Sequence, residues 1–135
     1  MNITEPMFLA LIALVDEPRH GYGIVQEVDR LSEGRVQLKI GTLYGVLDRL
    51  STEGLVAPDR EEVQQGRLRR YYRLTDEGAG VLEQEAARLA ANAEAANARL
   101  RARRSPERRP PEAPREAART PISPRPRQLP AGGAA

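Results

Sequence analysis

Three helical segments, a β-hairpin and a long final helix make this chain mainly α with a small β-hairpin. Its predicted architecture is a winged helix-turn-helix plus a long C-terminal dimerisation helix. Three observations predict it. Apolar residues recur at helical spacing in three separate runs between Met7 and Leu50. The stretch RLRRYYRL, residues 67–74, alternates like a strand directly after the turn signal QQG. Beyond Thr75, the residues Leu82, Ala86, Leu89, Ala93, Ala96 and Leu100 recur at alternating spacings of four and three, which is an a/d seam.

Thr4 is the N-cap of the first helix, with Glu5 and Pro6 in its first turn. Met7, Phe8, Leu11, Ile12, Leu14 and Val15 follow at helical spacing and cover more than one face, so this helix packs on both sides. Pro18 ends it. A second helix opens near residue 21, turns Ile24, Val25, Val28 and Leu31 inward, and stops at Gly34. RVQL, residues 35–38, reads as one brief strand.

The third helix, KIGTLYGVLDRLSTEGL, has an uneven composition. Ile40, Leu43, Val46, Leu47 and Leu50 form an apolar stripe, while Gly41, Thr42, Gly45, Asp48, Arg49 and Thr52 occupy the other side. A glycine inside a helix costs about 1 kcal/mol relative to alanine. Gly54 stands where a left-handed residue closes a helix. The hairpin follows: Leu68, Arg70, Tyr72 and Leu74 share one face of its second strand, and Arg67, Arg69, Tyr71 and Arg73 the other. Tyr72 is expected in the core. Thr75 caps the last helix, with Asp76 and Glu77 at its positive end. Half of the seam positions are alanine, which suits close packing against a neighbour or against the same helix of a second copy.

The chain has 135 residues, no cysteine and one histidine, His20. Disulfides and thiolate metal sites are thereby excluded. No run of about 18 apolar residues occurs and the N-terminus lacks a signal-peptide pattern, so a cytoplasmic protein is expected, with no membrane partner. Residues 1–98 hold 11 basic and 16 acidic side chains, a balance of −5. Residues 99–135 hold ten arginines against three glutamates, a balance of +7. A nucleic-acid footprint in the folded part must therefore be local. From Ser105 onward prolines alternate with Arg, Ala and Glu, a composition that obstructs helix and sheet and predicts disorder. Three roles are open for this tail: a non-specific phosphate-binding arm, a site for another acidic partner, or none, its arginines reflecting codon bias.

Small outward residues on the third helix let it enter a DNA major groove closely. Gly41, Thr42 and Gly45 allow the approach, and Thr42 and Arg49 project toward base edges or phosphates. Tyr44 borders the apolar stripe, so its ring can pack while its hydroxyl reaches a phosphate. Bland readings stand beside these. Gly41 is only a helix-start residue, Gly45 packs against another helix, Tyr44 is half-buried core, Arg69 and Arg73 are solvated strand residues, and the seam packs within one chain. Arg67 beside Gly66 at the hairpin tip is the stronger wing candidate. His20 reads as a cap or surface residue.

GTLYGVLDRLSTEGLV, followed by GRLRRYYRLTDEG and preceded by HGYGIVQEV, resembles the PadR family of bacterial transcriptional regulators over residues 3 to 82. The resemblance implies a winged helix-turn-helix that binds operator DNA as a homodimer, usually as a repressor. The single long final helix is similar to that of the shorter subgroup. By the same resemblance Thr42 and Tyr44 are recognition-helix contacts, Tyr22 lies near the DNA backbone, and Gly66, Arg67 and Arg69 belong to the wing. Lys39 stands where the family often has a small capping residue; it weakens the cap and adds a positive charge near DNA. The fourth helix lacks a tryptophan, which puts an aromatic drug-stacking site in doubt.

The expected organisation is a DNA-binding domain over residues 1–76, a dimerisation helix over 77–104 and a disordered tail over 105–135. Expected partners are double-stranded DNA, a second copy of the chain, and a small-molecule effector between the C-terminal and N-terminal helices. Met7 and Phe8 line that effector site or are ordinary core. The second function class is a winged-helix protein-interaction module without DNA binding. No cofactor, metal or catalytic residue is expected: the one histidine lacks a Ser/Asp setting, and no phosphate-binding loop appears.

Overall fold

The computed structural model describes residues 1–105, in the order α1 (Glu5–Ala13), β1 (Arg19–His20), α2 (Gly21–Leu31), α3 (Ile40–Thr52), β2 (Val56–Gln64), β3 (Arg67–Leu74) and α4 (Asp76–Arg104). Residues 1–94 form one compact unit, and the described residues beyond 94 belong to a second. Among its described residues the second unit is the last turns of α4. The predicted disorder beyond Ser105 falls on 106–135, outside the described residues.

α1 begins as expected, with the Thr4 hydroxyl accepting the Met7 amide at 3.4 Å. It ends earlier than Pro18, at Ala13. The reason is a tertiary cap: Arg19 Nε donates to the Ala13 carbonyl at 2.8 Å, satisfying one of the acceptors that a helix end leaves open. Val15 then lies beyond the helix and is more than half exposed, not part of a buried stripe.

The brief strand is not RVQL but Arg19–His20, which pairs antiparallel with β3 through Arg19↔Tyr72 and His20↔Tyr71. The sheet is therefore three-stranded, in the order β1-β3-β2. α2 stops at Leu31, short of Gly34, with Ser32 as its C-cap. The Ser32 hydroxyl accepts the Val36 amide at 2.9 Å, which draws Val36 and Leu38 partly against the core and denies residues 35–38 a strand partner.

Three helices and the start of the hairpin build one apolar core. Leu11, Ile24, Val28, Leu43, Leu47 and Leu50 are fully buried, and Met7, Leu55 and Val56 join them. Each fully buried aliphatic side chain stabilises the fold by about 1.5–3 kcal/mol. α3 closes in a Schellman motif: the Leu55 amide reaches the Leu50 carbonyl at 2.9 Å and the Gly54 amide reaches Ser51 at 3.0 Å, with Gly54 at φ +78°. Gln65 and Gly66, both at positive φ, form the two-residue hairpin turn. A register shift lies in β2 between Pro58 and Glu61.

Thr75 joins three elements. Its hydroxyl donates to the Gly54 carbonyl at 2.7 Å and accepts the Gly78 amide at 2.9 Å, so the cap of α4 is also its tether to the end of α3. Gly78 is buried against the Leu55 backbone, and Val81 and Leu82 pack on the core.

Candidate nucleic-acid interface

Leu43, Leu47 and Leu50 of the apolar stripe of α3 are buried as expected and Val46 is partly buried, but Ile40, which opens the helix at the edge of a groove, is 45% exposed. Ile40, Tyr44 and Asp48, spaced by four, form one ridge along that groove. Its other walls are His20, Gly21 and Tyr22 at the start of α2, and Arg67, Leu68, Arg69, Arg70 and Tyr72 of β3. The volume is about 860 Å³. Tyr22, Tyr44 and Leu68 are exposed into it at 55%, 43% and 57%.

Among the residues expected from sequence, the structure brings Tyr22, Tyr44, Arg67 and Arg69 together in this groove. Gly41, Thr42, Gly45 and Arg49 lie outside it, on the exposed side of α3. A Cβ built on Gly41 or Gly45 would meet nothing within 4 Å, so neither glycine packs against another helix of this chain. Lys39 is exposed immediately before α3 and makes no side-chain cap. Gly66 holds the hairpin tip at φ +79°.

His20, Gly21, Ile40, Asp48, Leu68, Arg70 and Tyr72 line the groove without having been expected from the sequence. The signals were present for two pairs. Ile40 and Asp48 flank Tyr44 at i−4 and i+4, and Leu68 and Arg70 alternate with the wing arginines. Nothing local in the sequence marks Arg19–His20 as a strand beside them.

The two faces of the wing differ in availability. Tyr72 packs, partly buried, against the core, in line with the expectation, while Tyr71 is the more deeply buried tyrosine. The His20 ring meets its edge at 5.3 Å, the Arg60 guanidinium lies 4.0 Å over its face, and Gln64 Nε2 donates to its hydroxyl at 2.9 Å. Tyr72 is half-buried and turned toward the groove. Burial raises the pKa of its hydroxyl, Tyr44 and Asp48 add to the rise, and Arg70 opposes it. The group therefore stays a neutral donor.

The basic side chains also divide. Arg69 is half-buried, its Nη1 3.4 Å from His20 Nδ1 and its buried Nε without a hydrogen-bond partner. Arg70 pairs with Glu61 at 3.4 Å and Arg73 with Asp59 at 3.9 Å. Among the described residues, Lys39, Arg49 and Arg67 enter no ion pair. These three cations are free for an external anion.

His20 caps α2, with Nδ1 accepting the Gly23 amide at 3.1 Å. Burial, and then the charge of Arg69, push its pKa below the ordinary histidine value.

On α4, within the first unit, Leu82 is half-buried on the chain's own core while Ala86, Leu89 and Ala93 are exposed. Within the second unit Ala96 and Leu100 are exposed. Among the described residues no cluster of acidic and histidine side chains could hold a metal ion, and no helix is long and apolar enough to cross a membrane.

Residues 9–84 match the family model described as the transcriptional regulator PadR-like family. The chain is similar to a PadR-like transcription factor from Bacteroides fragilis, with 32% identity, a TM-score of 0.57 and coverage of 67% of this chain and 85% of that one. Its fold is like that of Bacillus subtilis PadR, solved in complex with operator DNA, with 24% identity, a TM-score of 0.51 and coverage of 58% and 44%. It is also 40% identical over 86 residues to an uncharacterized 37.1 kDa protein in a transposon of Streptomyces fradiae, a match that spans 64% of this chain and only 23% of that protein. With the family model covering more than half the sequence and the winged fold beneath it, the chain belongs to the PadR-like family of transcriptional regulators.

Proposed function

We propose that this regulator binds double-stranded DNA sequence-specifically, as a homodimer on a pseudo-palindromic operator, and represses transcription there from the cytoplasm. The vacant outer face of α3 carries this reading. Neither Gly41 nor Gly45 meets a neighbour inside the chain, yet Gly45, in the helix interior, costs about 1 kcal/mol of helix stability. Close approach to a groove wall accounts for both.

With α3 in the major groove, Thr42 and Arg49 face base edges. Lys39 and Arg67 meet phosphates on either side, and Gly66 lets the wing tip approach the backbone. The hydroxyls of Tyr22 and Tyr44 stand at the groove mouth for the same strand, and Arg69 holds the wing base. Residues 1–76 make up the DNA-binding domain, and 77–104 the dimerisation helix, through the seam of Leu82, Ala86, Leu89, Ala93, Ala96 and Leu100. The fold likeness to a protein solved on operator DNA supports the reading. A small-molecule effector that alters the separation of the two recognition helices would regulate it.

Selection from a random duplex pool with the full chain tests the proposal. The expected product is a pseudo-palindromic sequence with half-sites about 34 Å apart, bound with an affinity that falls steeply with salt. Loss of all binding in a chain ending at Arg104 would transfer the affinity to the Arg-rich tail. No binding by either chain would make the fold a protein-interaction module.

A further inference from the structure

HGYGI holds two glycines, Gly21 and Gly23, at the start of α2. Neither has a positive φ, so backbone conformation requires glycine at neither. A Cβ on Gly23 would make ordinary contact with the His20 ring, 3.5 Å away. A Cβ on Gly21 would lie 2.9 Å from the Tyr44 hydroxyl oxygen and 3.1 Å from Cζ of that ring. These are the atoms at the tip of the phenol, and no backbone atom crowds the position.

We propose that Gly21 is a positioning residue: its bare Cα is the seat on which the Tyr44 phenol rests, fixing the hydroxyl of α3 beside the first turn of α2. This rests on reading the groove as the DNA-facing surface. Among the first amides of α2, that of Gly23 is taken by the His20 cap. The hydroxyl of Tyr44 lies beside the first turn of α2, 2.9 Å from a Cβ built on Gly21, so a phosphate oxygen bound by that hydroxyl would sit near the positive end of α2. A methyl at residue 21 pushes the phenol off that place. Alanine would otherwise favour the helix over glycine, so a merely local role for Gly21 predicts an unchanged or more stable protein.

The test is a double-mutant cycle on the full chain with the selected operator, comparing wild type, Gly21→Ala, Tyr44→Phe and the double variant. Each is measured for affinity and for thermal midpoint. A hydrogen bond to a charged group is worth roughly tenfold or more in affinity. Gly21→Ala is expected to bind about tenfold more weakly at an unchanged or higher midpoint, and to add little to Tyr44→Phe, whose hydroxyl is already gone.

Wild-type affinity in Gly21→Ala overturns the proposal, as does an equal loss in both backgrounds. If Gly21→Ala does not fold, the pair is repeated with Tyr44→Ala. Folding restored there supports the seat, and failure there also overturns it. Failure of wild type to bind any duplex is a different result, and removes the DNA reading itself.

Discussion

The imidazole Nδ1 of His20 accepts the Gly23 amide at 3.1 Å, while Arg69 Nη1 approaches the same nitrogen at 3.4 Å. Only a ring unprotonated at Nδ1 can do this. One neutral side chain thus caps α2 and meets the wing strand.

Stability should therefore fall on the acid side. His20 has a lower pKa folded than unfolded, so the unfolded chain binds the extra proton. Its contribution is fully present above the ordinary histidine value of about 6.5 and is lost as pH falls through the lower folded value. His20→Asn keeps a side-chain cap without a titrating ring. Thermal midpoints measured from about pH 7 to pH 5 should fall more steeply in wild type than in His20→Asn. Parallel curves would show that the cap does not titrate.

Gly78→Ala should be costly. Its Cβ would fall 2.1 Å from the Leu55 carbonyl oxygen, a backbone atom that cannot turn away, and 2.8 Å from Leu74 Cδ1. Urea unfolding should show a loss of about 3 kcal/mol, at the upper end of overpacking costs. Gly80→Ala, at a position with nothing within 4 Å, serves as the control and should be neutral or stabilising. Equal effects at the two positions would contradict the close seating of α4 on Leu55.

The wing arginines should separate. Arg67 is exposed and, among the described residues, in no ion pair, so Arg67→Ala should weaken binding on every sequence and lower the salt slope by about 1. Arg69 is engaged with His20, so Arg69→Ala should act mainly on the wing's seating and lower the thermal midpoint. Titration of DNA at several salt concentrations, beside a melting curve for each variant, checks both. An unchanged slope in Arg67→Ala removes that residue from the phosphate contacts.

Leu89 is exposed on α4, on the proposed seam. Leu89→Asp puts a charge on that stripe and should shift the chain from dimer to monomer by light scattering, with operator affinity falling alongside. A wild-type chain already monomeric at micromolar concentration would contradict the seam.

Much of this fold was legible from residues whose physics is local. Thr4 and Thr75 cap where a hydroxyl before a helical run should, Gly54 closes α3, and Gln65–Gly66 turns the hairpin. What was misread depends on contacts outside the local helical or strand pattern. Arg19 reaches back to cap Ala13, so α1 ends before its breaker at Pro18. Arg19–His20 becomes a strand only because β3 passes beside it, and two residues carry no periodicity. Tyr71 and Tyr72 are adjacent and alike in composition. Tyr72 packs against the core as expected, but the deeper burial of Tyr71 comes from Arg60, Gln64 and His20, none of which the alternation of β3 reveals. The site was half visible for the same reason: α3 names its own exposed residues, but not the wall that β3 and the start of α2 set opposite it.

In the proposed function, the outer face of α3 is empty because a DNA groove fits against it. Gly45→Leu tests this most directly, since a Cβ there meets nothing within 4 Å and the exchange should raise helix stability by up to about 1 kcal/mol. The measurement is operator affinity at fixed salt, with the thermal midpoint recorded on the same sample. A folded, equally or more stable variant that no longer binds the operator is the predicted result. A Gly45→Leu protein that binds like wild type would contradict the account.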